Sequence, residues 1–137
     1  MDDCIFCKMT RGEIKVDIVH ESSGALAFLD QSPITPGHTL VIPKVHAANI
    51  SEASHDSIGP TFIAVQAVVK LLKATLAPDG FTIGVNHGKA AGQAIDHLHI
   101  HVLPRWADDH GITIHQVVKN PPESYEAVKE KIMKGLE

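Results

Sequence analysis

Apolar and polar positions along the chain follow two periods. Residues 14–20 alternate loosely and predict a strand, and Ser22-Ser23-Gly24 reads as a turn into a second short apolar run at 25–29. The pair therefore reads as a hairpin. Asp30-Gln31-Ser32-Pro33 breaks the pattern and Pro36-Gly37 signals another turn. Residues 38–43 then carry Thr39-Leu40-Val41-Ile42, a β-branched strand that stops at a proline. One long segment changes period: Ile58, Phe62, Val65, Val69, Leu72 and Leu76 step by four and three, which predicts an amphipathic helix. Pro60 suits the first turn of such a helix, with Asp56 or Ser57 as its cap, and Pro78-Asp79-Gly80 ends it. Phe81, Ile83 and Val85 predict a further strand, 87–93 a glycine- and alanine-rich loop, and 95–103 another strand. Pro121-Pro122 precedes a last helix with Tyr125, Val128 and Ile132 on one face. Short hairpin-type joins leave little room for parallel crossovers, so the expected class is α+β with an antiparallel sheet.

The strand at 95–103 carries the chemistry. His97, His99 and His101 stand at i, i+2 and i+4, so a pleated strand turns all three imidazoles to one side and Leu98, Ile100 and Val102 to the other. By spacing alone the trio fits a metal site as well as catalysis. Asn86 and Gln93 just upstream are uncharged donors suited to phosphate oxygens, and Gly92 permits close backbone approach. Those neighbours favour nucleophilic chemistry at a phosphorus, since neutral imidazole is a good nucleophile near pH 7.

Composition narrows the options. A length of 137 residues fits one domain, with 44% hydrophobic and 20% charged residues as in ordinary globular chains. A net charge of −4 and the lack of a Lys/Arg run argue against nucleic-acid binding. No leader-type apolar segment follows the acidic Met1-Asp2-Asp3, and no apolar run reads as long enough to span a bilayer, so a cytoplasmic protein without membrane contact is expected. Ten histidines, scattered through the chain, are the oddity. The two cysteines stand as Cys4-Ile5-Phe6-Cys7, a spacing that suits a metal or redox pair; free thiols near the N-terminus are the plain alternative.

With these residues in view, the segment His97-Leu98-His99-Ile100-His101-Val102-Leu103 resembles the signature of the histidine-triad (HIT) family. Ala27-Phe28-Leu29-Asp30, Pro36-Gly37-His38, Leu40-Val41-Ile42-Pro43-Lys44, Asn86 and Gly92-Gln93 match the family pattern in order and spacing, over about residues 4–105. The resemblance implies a single HIT domain over 1–137, with 106–137 as a C-terminal extension. Its fold would be a five-stranded antiparallel sheet with one long helix and a C-terminal helix.

The resemblance also implies roles. His99 matches the nucleophile that attacks an α-phosphorus to form a nucleotidyl-histidine, His101 a phosphate and leaving-group contact, and His38 a supporting histidine. Asn86, Gly92 and Gln93 match residues around the phosphate. Asp30 matches a ribose-binding carboxylate, although a turn cap before Ser32-Pro33 explains it as well. Phe28 and Ile18 match residues that sandwich a base, while by periodicity both read as core. Relatives with a CxxC pair place zinc on two cysteines and two histidines, which here are Cys4, Cys7, His46 and His97. The metal is then structural, and no organic cofactor is implied. The implied activity is release of a nucleoside monophosphate, AMP or GMP, from a phosphoramidate, as in the Hint branch. A dinucleoside polyphosphate hydrolase of the Fhit type and a nucleotide-binding protein with low turnover are the alternatives. His101 stands where the nucleotidyltransferase branch carries glutamine, which favours hydrolysis. Ala94 departs from the usual Ser or Thr and leaves the leaving group open. The family usually forms homodimers.

Overall fold

The computed structural model describes residues 3–137; Met1 and Asp2, and with them most of the acidic start, lie outside the described residues. Thr39–Pro43 (β3) is buried along its whole length at the middle of the sheet. It pairs antiparallel with Ala25–Leu29 (β2) on one side and Ile100–Arg105 (β5) on the other. Ile18–Glu21 (β1) and Gly80–Gly84 (β4) are the edges, giving a five-stranded sheet in the order β1-β2-β3-β5-β4. The expected fold class and strand count are present.

The pleat sends alternate residues into two cores. Ala25, Ala27, Val41, Ile100 and Val102 face the long helix His55–Leu76 (α2) and meet its Val65, Val68 and Leu72. Leu26, Phe28, Leu40 and Ile42 face the other way and meet Phe6 of a short helix, Ile5–Thr10 (α1). Each fully buried Leu, Ile or Phe contributes about 1.5–3 kcal/mol, so both faces are firmly occupied.

Several boundaries differ from the sequence expectation. β1 covers Ile18–Glu21 rather than 14–20, with an irregular register between Ile18 and His20. α2 begins after Ser54, not at Asp56 or Ser57, so Pro60 is the sixth helical residue and not a first-turn one. The ring is taken up against Gly24, where an added Cβ would lie 2.8 Å from Pro60 Cβ. The buried face of α2 is Ser57, Thr61, Ala64, Val65, Val68 and Leu72. Small side chains at the first three positions let the helix approach the alanines of β2, and Phe62 and Leu76 are left 42% and 40% exposed. α2 is also long and apolar enough to cross a bilayer, contrary to the reading above, but this face of it lies on the sheet. Gly37 enters β3 at φ +81°, beneath Leu72 and Leu76 of α2, a conformation that side-chain-bearing residues rarely adopt.

β5 starts at Ile100, so His97 and His99 precede the strand ladder instead of lying within it. Pro43 explains the boundary. In the continued register it would oppose Leu98, and it has no N–H to donate there. The chain turns aside there: Leu98 N–H donates to the Ala47 carbonyl at 2.7 Å. The C-terminal helix Tyr125–Gly135 (α3) is present, but Tyr125 and Ile132 are 74% and 58% exposed, so its predicted apolar face is not packed.

Candidate active site

His99 and His101 reach the α1 side of the sheet, and their hydrogen bonds assign each ring a tautomer. His99 Nδ1 lies 2.7 Å from the His97 carbonyl, which can only accept. Nδ1 therefore carries the proton, and Nε2 keeps a free lone pair. At His38 the Ile34 N–H donates to Nδ1 at 3.3 Å, so a neutral His38 holds its proton on Nε2. That Nε2 lies 2.9 Å from His101 Nδ1 and donates to it. His101 then carries its own proton on Nε2. The pair of adjacent rings, centroids 5.1 Å apart, thus offers one lone pair and one N–H.

Burial favours the neutral forms of His101 and His38. It pushes His101 down from 6.5 to about 4, with His99 and His38 adding to the effect and Asp30 opposing it. His38 is lowered too, by burial against the pull of Asp30, whose Oδ2 lies 3.5 Å away. An imidazole that protonates at 6.5 when unfolded but near 4 when folded makes the unfolded chain bind more protons in between. Its contribution to stability is complete above the unfolded value and is lost as pH falls towards 4. Urea midpoints are therefore expected to decline between pH 6.5 and 4 in wild type, and less steeply in His101→Gln. Equal slopes in the two proteins would contradict the neutral assignment.

A cleft of about 290 Å³ opens onto both rings. Phe6, Met9, Val16 and Phe28 form an apolar wall, and Asp30, Asn86, Gly92 and Ala94 add polar groups and backbone. Gly92 sits at φ +98° as the residue closing the short turn Lys89–Ala91, close to the Asn86 amide.

His97 is fully buried behind this wall, against Phe6, and is not among the cleft's lining residues. Its Nε2–H donates to the Pro43 carbonyl at 2.9 Å, so the lone pair lies on Nδ1. Nδ1 is 3.4 Å from Cys4 Sγ, 3.6 Å from Cys7 Sγ and 3.2 Å from His46 Nδ1, and Cys7 Sγ is 3.3 Å from His46 Nδ1. Metal–sulfur bonds of about 2.3 Å and metal–nitrogen bonds of about 2.0–2.1 Å at tetrahedral angles set ligand atoms about 3.3–3.8 Å apart. The four ligand atoms lie within 4.8 Å of one another, and the separations of 3.2–3.6 Å are close to those of such a shell. Burial pushes His97 down to about 4, which keeps it neutral as a ligand must be. The Pro43 carbonyl supplies the second hydrogen bond that orients a ligating histidine.

Residues 11–108 match the HIT domain model. The chain belongs to the HIT family. An uncharacterized HIT-like protein of Saccharolobus solfataricus is 40% identical over 135 residues, 97% of each chain. An adenosine 5′-monophosphoramidase of Schizosaccharomyces pombe is 37% identical over 111 residues, 81% of this chain and 80% of the relative. A crystal structure from Streptococcus mutans superposes with a TM-score of 0.87 at 36% identity, covering 100% of this chain and 87% of that one.

Within this HIT domain the expected site residues separate into groups. His38, His99, His101, Asp30, Asn86, Gly92 and Phe28 lie at or directly behind the cleft, and Cys4, Cys7, His46 and His97 converge beside it. Asp30 also caps its turn, since Oδ1 accepts from Ser32 N–H at 2.8 Å. Ile18 pairs with Phe28 but is 51% exposed and outside the cleft lining. Val16, Phe6 and Met9, which the sequence reading passed over, take the apolar places instead. The flanking cysteines hid Phe6 and Met9, because they drew the reading of this segment to sulfur.

Gln93 is buried, with both amide hydrogens and its oxygen bonded to backbone. Oε1 accepts from Gly88 N–H at 2.8 Å, and Nε2 donates to the carbonyls of Ala48 and Ile95 at 2.7 and 3.0 Å. It ties the 86–93 loop to the segment after β3 rather than offering a free donor to the cleft. Gln93→Ala is expected to lower stability by about 2–3 kcal/mol, the cost of stranding buried polar groups. A change within error in chemical denaturation would contradict this role.

Proposed function

We propose that this HIT protein hydrolyses nucleotide α-phosphate bonds, releasing AMP or GMP from a phosphoramidate through a nucleotidyl-histidine intermediate. The observation that carries the reading is the tautomer pair, a free His99 Nε2 beside a His101 Nε2–H at one cleft wall. His99 Nε2 attacks the phosphorus as the P–N bond to the leaving amine breaks, and the amine nitrogen takes up a proton relayed from solvent past His101 Nε2–H. Water then attacks the same phosphorus, the bond to Nε2 breaks, the water's proton passes back to solvent, and the monophosphate leaves. His101 Nε2–H hydrogen-bonds the phosphoryl oxygen or leaving group as charge develops there. Asn86 and the Gly92 backbone border the phosphate end, and Asp30 Oδ2 remains available to ribose hydroxyls. The apolar wall of Phe6, Met9, Val16 and Phe28 would hold the base by its faces. The monophosphoramidase activity named for the fission-yeast relative supports the same reaction class.

Ala94 borders the cleft without a hydroxyl, which favours keeping dinucleoside polyphosphates as a second substrate class. Comparing rates on an adenosine phosphoramidate and a diadenosine polyphosphate tests both. Faster phosphoramidate cleavage supports the reading, and faster polyphosphate cleavage replaces it. AMP binding without turnover on either would make the protein a nucleotide-binding module.

Zinc is the metal this reading assigns to Cys4, Cys7, His46 and His97, because two thiolates and two imidazoles at tetrahedral spacing are its preferred structural set. Such a closed shell supplies folding energy and no open position for a reacting water. The reading also includes a cytoplasmic homodimer. Light scattering should give twice the 14.8 kDa chain mass, and a monomer would remove that part.

A further inference from the structure

Phe6 stands between the two cysteines in sequence and meets rings on both the cluster and the cleft side. Its ring meets Phe28 at 5.7 Å between centroids, His97 at 5.7 Å and His99 at 5.2 Å, each edge to face. It is 3% exposed, and it lines the cleft together with Ile5 and Met9 of the same helix. One side chain thus contacts a metal-cluster histidine, the assigned nucleophile and the cleft's apolar wall.

What keeps α1 in place is limited. The helix has six residues, far fewer than the roughly 12–15 that an isolated helix needs for stability in water. Its N-cap, Cys4, makes no side-chain capping bond. Phe6 and Met9 pack α1 against the sheet, and Cys4 and Cys7 tie it to His46 and His97, which flank β3 and β5. Three cleft residues therefore ride on an element positioned by the cluster.

We propose that metal occupancy at Cys4, Cys7, His46 and His97 sets the cleft's affinity for nucleotide through Phe6, so that metal and nucleotide bind cooperatively. The inference rests on the functional reading above. Binding linkage is reciprocal: if the metal raises affinity for nucleotide, nucleotide raises affinity for the metal by the same factor. Without the metal, α1 is free to shift, and nucleotide must restore its position at the expense of binding energy.

The test uses the full chain with AMP and zinc as probes. Titration calorimetry gives AMP affinity for zinc-loaded and chelator-stripped protein. Competition with a chromophoric chelator gives zinc affinity with and without saturating AMP. The expected result is an AMP dissociation constant raised about tenfold on stripping, inside the usual range of coupling, and zinc held tighter by the same factor when AMP is present. Phe6→Leu should keep full zinc content yet bring the effect of AMP on zinc affinity to within about twofold. If the stripped protein unfolds, the zinc competition and the Phe6→Leu arm decide the matter, since both start from loaded protein. Zinc affinity indifferent to bound AMP overturns the inference and leaves the functional reading standing. So does a Phe6→Leu variant with undiminished coupling. Zinc-loaded protein that binds neither AMP nor GMP overturns both.

Discussion

Replacing His99 with alanine is expected to reduce turnover of an adenosine phosphoramidate by roughly 10⁴-fold or more, the scale seen when a covalent nucleophile is deleted. Such a factor corresponds to about 5.5 kcal/mol of transition-state stabilisation. The loss falls on kcat, because the Phe6 and Phe28 wall, Asn86 and Gly92 remain to hold nucleotide. His99→Asn is expected to behave the same way, which separates the lost lone pair from the lost volume. AMP titration of both variants should stay close to wild type. Turnover within tenfold of wild type in either variant would remove His99 as nucleophile.

Stripping the metal is expected to lower the melting temperature by about 10 °C or more. The cluster brings residues 4, 7, 46 and 97 together and closes loops of up to 93 residues. Loop closure of that length carries a substantial entropy term, and ligation free energy appears directly as folding free energy. For a domain of this size each kcal/mol moves the transition by about 3–5 °C. Metal analysis should return about one zinc per chain, and Cys4→Ser should lower it. A chelator-treated protein with an unchanged melting curve and no zinc at purification would defeat the assignment.

Much of the fold could be read from the chain because a short unbroken apolar run bounded by turn residues marks a strand buried on both faces. β2 came out with its observed bounds, and β3 within one residue, since Leu26, Phe28, Leu40 and Ile42 are as apolar as the residues between them. α2 was harder. A count of large apolar residues selects Ile58, Phe62 and Leu76, whereas the sheet selects Ser57, Thr61 and Ala64 for their small size against Ala25 and Ala27. Packing distance, which hydrophobicity does not report, decided that face. The start of β5 depended on a missing N–H in another strand, at Pro43.

The candidate site shows the same division. The three histidines announced themselves by spacing, and their unequal surroundings follow from the pleat and from Pro43. The tautomers did not, because they are set by carbonyls and amides of His97, Ile34 and Pro43 that any residue type would provide. Gln93 was read as a donor by residue type, yet the loop and the segment after β3 consume its hydrogen-bonding capacity. α1 went unread because six residues with two cysteines carry no usable period.

The alternation on either side of Ile100 also limits how this gene can change length. Deleting or inserting one codon between positions 98 and 102 would move every following side chain to the opposite face. Imidazole would then be pressed against α2, and Ile100 or Val102 would protrude into the cleft. Substitutions can erode chemistry and stability one at a time here, but a single-codon indel removes both in one event, so this stretch should keep its length even where its residues drift.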